Sequence, residues 1–134
     1  MSKIFQWGPR LVLAALFFSM AVPKFLAPDI TVHIFTELGV EPWGRIFTGL
    51  VEFSVAVMLI FPKSFKAGVV GSLGVLAGAL FSHLFILGIV ISNQTGEIDD
   101  GGSTFLTAVF MLATTLLCVK QIRNQPNPDL ARIS

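Results

Sequence analysis

Apolar residues fall along this chain in long runs separated by short polar stretches. Four runs approach the roughly 20 residues that an α-helix needs to cross a hydrocarbon layer of about 30 Å. They cover residues 8–26, 43–61, 67–91 and 104–119. The pattern predicts one all-α domain over residues 1–134, a transmembrane four-helix bundle. Punctuation agrees with it. Pro42 stands at a first helical position and Pro62 closes the second run. Ser64 is placed to cap the third, and Ser103 or Asp100 the fourth. Trp7 and Trp43 fall at the expected membrane interfaces.

The segment between the first two runs, DITVHIFTELG, has a rhythm of its own. Ile30, Ile34 and Leu38 recur every four residues, with Phe35 beside them. Asp29 can cap its start and Gly39 can end it. A short amphipathic helix lying on the outer interface is expected, with His33 off the apolar stripe as a solvated residue.

Composition sharpens the picture. The chain has 134 residues, 54% of them hydrophobic, and 9 basic plus 8 acidic residues make only 17 charges. Mean hydropathy is +0.81. These values exclude an ordinary soluble enzyme and a disordered chain. A net charge of +1 gives no footprint for nucleic acid. Cys118 stands alone, so an internal disulfide, a CxxC pair and a cysteine-rich metal site are excluded. Thirteen Phe, two Trp and no Tyr suit lipid contact.

Charge sets the expected orientation. Lys3, Arg10, Lys63, Lys66, Lys120, Arg123 and Arg132 fall on one side of the four spans. Asp29, Glu37, Glu41, Glu97, Asp99 and Asp100 fall on the other. Basic loops stay in the cytoplasm, so both termini are expected there, with a bacterial inner membrane as the setting. A rival reading makes the first run a cleaved signal peptide, which leaves three spans and breaks the charge pattern.

Four ionisable residues lie in the outer half of the spans. Glu52 is about 15 Å below Pro42, and His83 about 13.5 Å from Ser92, at about 1.5 Å per residue. A charge at that depth costs on the order of 3 kcal/mol and faces the bundle interior. Lys24 and Arg45 sit nearer the outer end, where they snorkel outward or reach toward Glu52. Arg45, Thr48 and Glu52 share one helix face. The functional reading is a polar pocket in the outer half, with Glu52 and His83 relaying protons or bonding a quinone-like carbonyl. The structural reading is a buried Glu–His or Glu–Arg pair that only fixes helix register. Glu52 and His83 are expected to face each other, directly or through a ligand or water.

Remaining features are weaker. Gly74 and Gly78 form a GxxxG pattern that allows close helix approach, inside the bundle or to a second copy or partner. Cys118 reads as a small hydrophobe. Asn93-Gln94-Thr95 matches a glycosylation sequon, and GEIDDGG reads as a solvated loop without an EF-hand pattern. His33 and His83 differ too much in depth to share a haem, and no metal site is expected.

Taken together, PKFL (23–26), FTELGVEPWGR (35–45), GLVEF (49–53) and FSHL (81–84) resemble the DoxX-like family of small membrane proteins along nearly the whole chain. The resemblance implies a four-helix integral membrane protein with Lys24, Glu52 and His83 at the family's polar positions, and Arg45 less securely. MAVPKF departs from it, with Ala21 and Pro23 where relatives often carry glycine. The family implies no single activity. Its name comes from subunits linked to quinone-reducing sulfur oxidation, and some relatives look like assembly factors. The expectation is a quinone-associated redox accessory subunit, not an enzyme on its own. The alternatives are a non-catalytic assembly or interaction factor and, less favoured without a visible inverted repeat, a small transporter.

Overall fold

The computed structural model describes residues 3–125; the proline-bearing tail beyond Gln125, including Arg132, lies outside the described residues. Helix α1 runs Lys3–Leu26, α2 Asp29–Glu37, α3 Trp43–Ile60, α4 Phe65–Ser82 and α5 Ser103–Arg123, and α4 continues into one π-helical turn, His83–Leu87. Four of these helical units are long and apolar enough to span a membrane. Helix α1 packs on α3 and α5, and α4 packs on the same two, so the four spans form a closed antiparallel ring. The start of α1 and the end of α5 therefore share one end, called here the terminal end. The short α2 packs across the opposite, far end against α1, α3 and the π turn.

Proline explains much of how the helices are tied together. A proline has no N–H, so the carbonyl four residues before it loses its helical partner. In a membrane such a carbonyl must be satisfied from within the protein. Pro9 lies inside α1, and Gln121 Nε2 of α5 donates to the Phe5 carbonyl at 2.6 Å. Pro28 follows α1, and an Arg45 guanidinium nitrogen donates to the Lys24 carbonyl. Pro62 follows α3, and Ser64 Oγ donates to the Met58 carbonyl at 3.0 Å. The expected cap by Ser64 is thus corrected. Ser64 stands at the N-cap of α4, but its hydroxyl turns back to the end of α3 and makes no cap bond. Arg10 serves the same α3 end, donating to the Leu59 carbonyl at 3.1 and 3.3 Å. Its guanidinium lies 4.3 Å from the Trp7 ring centroid and 4.0 Å from that of Phe65.

Toward the terminal end the ring is filled. Leu13, Phe17, Leu59, Phe65, Leu76 and Cys118 form the middle of the core. Ser72 and Thr115, fully buried among them, donate to the Gly68 and Met111 carbonyls of their own helices at 2.8 Å, so neither hydroxyl is left unpaired. Gly68 lets α4 approach α3 closely: a Cβ there would stand 3.0 Å from the Leu59 nitrogen and 3.1 Å from the Met58 carbonyl carbon.

The loops differ from expectation in three places. Asp29 is the first residue of α2, not its cap; Pro28 holds that position, and Asp29 instead places a negative charge in the first turn. Gly39 ends the helix as expected, in a Schellman turn with φ +73°, Gly39 N–H donating to Thr36 and Val40 N–H to Phe35. Second, the third span stops at Leu87 instead of residue 91. Gly88 takes φ 80° and ψ 175°, which ends the helix. Third, residues 88–102 are a built strap, not a plain solvated loop. Ser92 and Asp99 form an antiparallel bridge, and Ile91 is buried beneath it. Asp100 binds the strap to α5, accepting from the N–H groups of Ile91 (2.7 Å), Gly102 (2.9 Å) and Thr104 (3.1 Å). It thereby caps α5 as one of the two expected residues, acting from outside the N-cap position, which Gly102 holds.

Candidate functional site

At the far end the ring is not filled. A cavity of about 770 Å³ lies between α1, α3, α4 and the underside of α2. Its existence follows from the sequence of α4. Gly71, Gly74 and Gly78 bring no side chains to this wall, and Cβ atoms at Gly74 and Gly78 would meet nothing within 4 Å. The GxxxG pattern therefore borders a space inside this chain and does not seat another of its helices. Gly74, Gly78 and Phe47 are also exposed, so the cavity reaches the outside of the bundle between α3 and α4.

Helix α2 roofs this space. Ile30, Ile34, Phe35 and Leu38, the stripe expected to lie on the membrane interface, line the cavity instead. The correction has a simple cause. An apolar stripe gains as much from covering an apolar hole as from lipid, and Pro28 and the Gly39 turn fold α2 back over the bundle. His33 lies outside the cavity lining and is half-buried.

All but one of the expected polar residues meet here. Lys24, Glu52 and His83 line the cavity and are only 7%, 6% and 3% exposed. Lys24 Nζ stands 2.7 Å from Glu52 Oε2 and donates to the Met20 carbonyl at 2.9 Å. The snorkelling alternative for Lys24 is overturned: its ammonium turns inward. Gly49, one turn before Glu52, makes room, because a Cβ there would lie 3.0 Å from Lys24 Cβ. Arg45 is buried beside the site but does not line it. Its Nε pairs with Glu41 at 2.8 and 3.0 Å, and another guanidinium nitrogen bonds the Lys24 carbonyl. Arg45 thus holds the end of α1 in place, with Glu41 as the anion it uses. Neither Glu41 nor Gly49 was singled out from the sequence; Glu41, four residues before Arg45, was the readable one.

Glu52 and His83 were expected to face each other directly or through a ligand or water; both line the cavity, and no direct contact joins them. Glu52 takes Lys24 as its partner, and His83 Nδ1 lies 2.9 Å from the Gly88 carbonyl. The matched depth behind that expectation assumed a helix running to residue 91. With the span ending at Leu87, His83 is about 6 Å from its helix end, whereas Glu52 is about 13.5 Å from the start of α3, at about 1.5 Å per residue. The two residues line one cavity, each with its own partner. The His83 ring also meets the Phe105 ring edge-on, 5.6 Å between centroids. Its turn is π-helical, a rare geometry that occurs mostly as single turns within α-helices and is frequent at functional sites.

These features define a class: a helical integral membrane protein whose ring of four spans encloses an apolar cavity with a buried lysine–glutamate pair and a histidine. The sequence model of the DoxX-like family matches residues 9–117, and the chain belongs to that family. No curated protein and no solved structure matches it significantly.

Proposed function

We propose that the cavity binds a lipid-soluble ligand with a polar head, of the quinone class, and that the protein serves as a membrane-embedded accessory holding that ligand for a partner. The observation that carries this reading is the Lys24–Glu52 pair set deep in an otherwise apolar cavity. Apolar walls with a few convergent polar groups are the general form of a small-molecule site. A quinone ring fits the apolar walls, and one carbonyl accepts from the Lys24 ammonium. The opening between Phe47 and the exposed glycines supports entry from the bilayer, where such ligands dissolve.

The orientation proposed from charge is retained. Lys3, Arg10, Lys63, Lys66, Lys120 and Arg123 belong to the terminal end, which supports cytoplasmic termini in a bacterial inner membrane. Impermeant thiol reagents should label a cysteine at position 99, and not one at position 63, in intact cells. A second reading, an interaction factor or homo-oligomer, is favoured by one feature: the open glycine edge at Gly74 and Gly78, where a neighbouring helix can pack.

The test of ligand binding is mass spectrometry of the quinones and lipids retained by protein purified in mild detergent. The wild type should retain a quinone at near-stoichiometric level. A folded Lys24→Met/Glu52→Leu double variant should retain none. Equal retention by both proteins would remove the site from the ligand's path.

A further inference from the structure

Acceptors outnumber donors on the cavity wall. The Gly88 carbonyl can only accept, so His83 Nδ1 carries the ring proton and donates to it. In the neutral ring Nε2 is then an acceptor, and among the described residues it has no partner. The Glu52 carboxylate is paired only with Lys24, which leaves lone pairs open. Thr48 and Ser82 also line the cavity, and their hydroxyls donate to the Gly44 and Gly78 carbonyls at 2.7 and 2.9 Å, so each has only acceptor capacity left to offer. Against these stand two donors. The Lys24 ammonium bonds the Met20 carbonyl and pairs with Glu52, and the buried Thr31 hydroxyl lines the cavity with no hydrogen bond among the described residues.

We propose that the cavity prefers the reduced, hydroxyl-bearing form of its ligand, a hydroquinone, over the oxidised quinone; this rests on the quinone reading above. Quinone carbonyls only accept. Lys24 and Thr31 can serve them and Glu52 keeps its pairing with Lys24, but His83 Nε2 stays unpaired once the ligand excludes water. A hydroquinone brings an O–H donor for that acceptor, and its oxygens still accept from Lys24. A buried acceptor left without its bond is expensive, and one such difference corresponds to about tenfold in affinity. The histidine thus sets which redox form is held, while the lysine–glutamate pair admits both.

The experiment compares a short-chain benzoquinone with its hydroquinone, kept reduced under argon, by titration calorimetry on the wild-type protein in lipid nanodiscs. The hydroquinone should bind about tenfold tighter. His83→Phe, which keeps an aromatic ring against Phe105 but no acceptor, should bring the ratio close to one by weakening the hydroquinone. His83→Gln, whose amide oxygen accepts, should restore part of the preference. Equal affinities in the wild type, tighter binding of the quinone, or a ratio unchanged in a folded His83→Phe protein would each overturn the inference while leaving the quinone reading intact. No saturable binding of either form would overturn the quinone reading, and this inference with it.

Discussion

Breaking the buried ion pair from either side should cost far more than removing it whole. Lys24 and Glu52 side chains are 9% and 8% exposed, so solvent screens them little, and their charged atoms are 2.7 Å apart. At an effective dielectric constant of about 20, that separation gives an attraction of about 6 kcal/mol. Desolvation of each ion opposes it by several kcal/mol, so the net worth of the pair is small. Glu52→Leu deletes the attraction and leaves a buried ammonium with only the Met20 carbonyl; Lys24→Met leaves a buried carboxylate with no cation. Each single change should destabilise by about 3–5 kcal/mol. The double variant Lys24→Met/Glu52→Leu should lie within about 1 kcal/mol of wild type or above it, because it replaces the ions with apolar side chains of similar volume. Reversible unfolding in mixed micelles, read by circular dichroism, gives the four free energies of the cycle. A coupling of several kcal/mol is expected. Single losses under about 1 kcal/mol, or losses that simply add, would refute the reasoning and place both side chains in contact with water.

Asp100 makes an acid-sensitive clasp. Burial pushes its carboxyl upward, but the N–H groups of Ile91, Gly102 and Thr104 and the Thr104 side chain outweigh it and hold the group below the usual carboxylate range. Its contribution should be complete above the ordinary aspartate pKa and disappear as pH falls through the depressed one; a thermal-melt series on wild type and Asp100→Asn should converge at low pH. Gly68→Ala should destabilise by about 1–3 kcal/mol, because its methyl meets α3 backbone, whereas Gly74→Ala should be neutral or raise stability by up to about 1 kcal/mol; the same unfolding assay separates them. Arg10→Met should lose about 1–3 kcal/mol, since it removes the donors to the Leu59 carbonyl and the guanidinium held against Trp7 and Phe65, and Arg10→Lys should recover only part for want of the stacked guanidinium.

Much of this protein was determined by local sequence. Length and hydropathy of a run are enough to say that it crosses a membrane, because a bilayer imposes one thickness on every span. Prolines and glycines marked the ends of α2 and α3 to within a residue, with Pro42 at the N-cap of α3 and not at its first helical position, since their backbone restrictions act wherever they are placed. The inventory of the site, Lys24, Glu52 and His83, was also legible, because an ionisable group within an apolar run has a cost that points inward. Its pairing was not. Which partner Glu52 takes depends on how α1 and α3 cross at Gly49, and that is a property of two helices at once. The end of the third span was misplaced because hydropathy is continuous through Gly88, while the backbone there turns on one dihedral angle. The cavity itself belongs to tertiary structure alone. Gly74 and Gly78 read equally well as a packing seam and as the wall of a hole, and the choice was made by what stood opposite them. Here that was empty space under α2, whose apolar face found a roof to make where the sequence by itself offered only an interface.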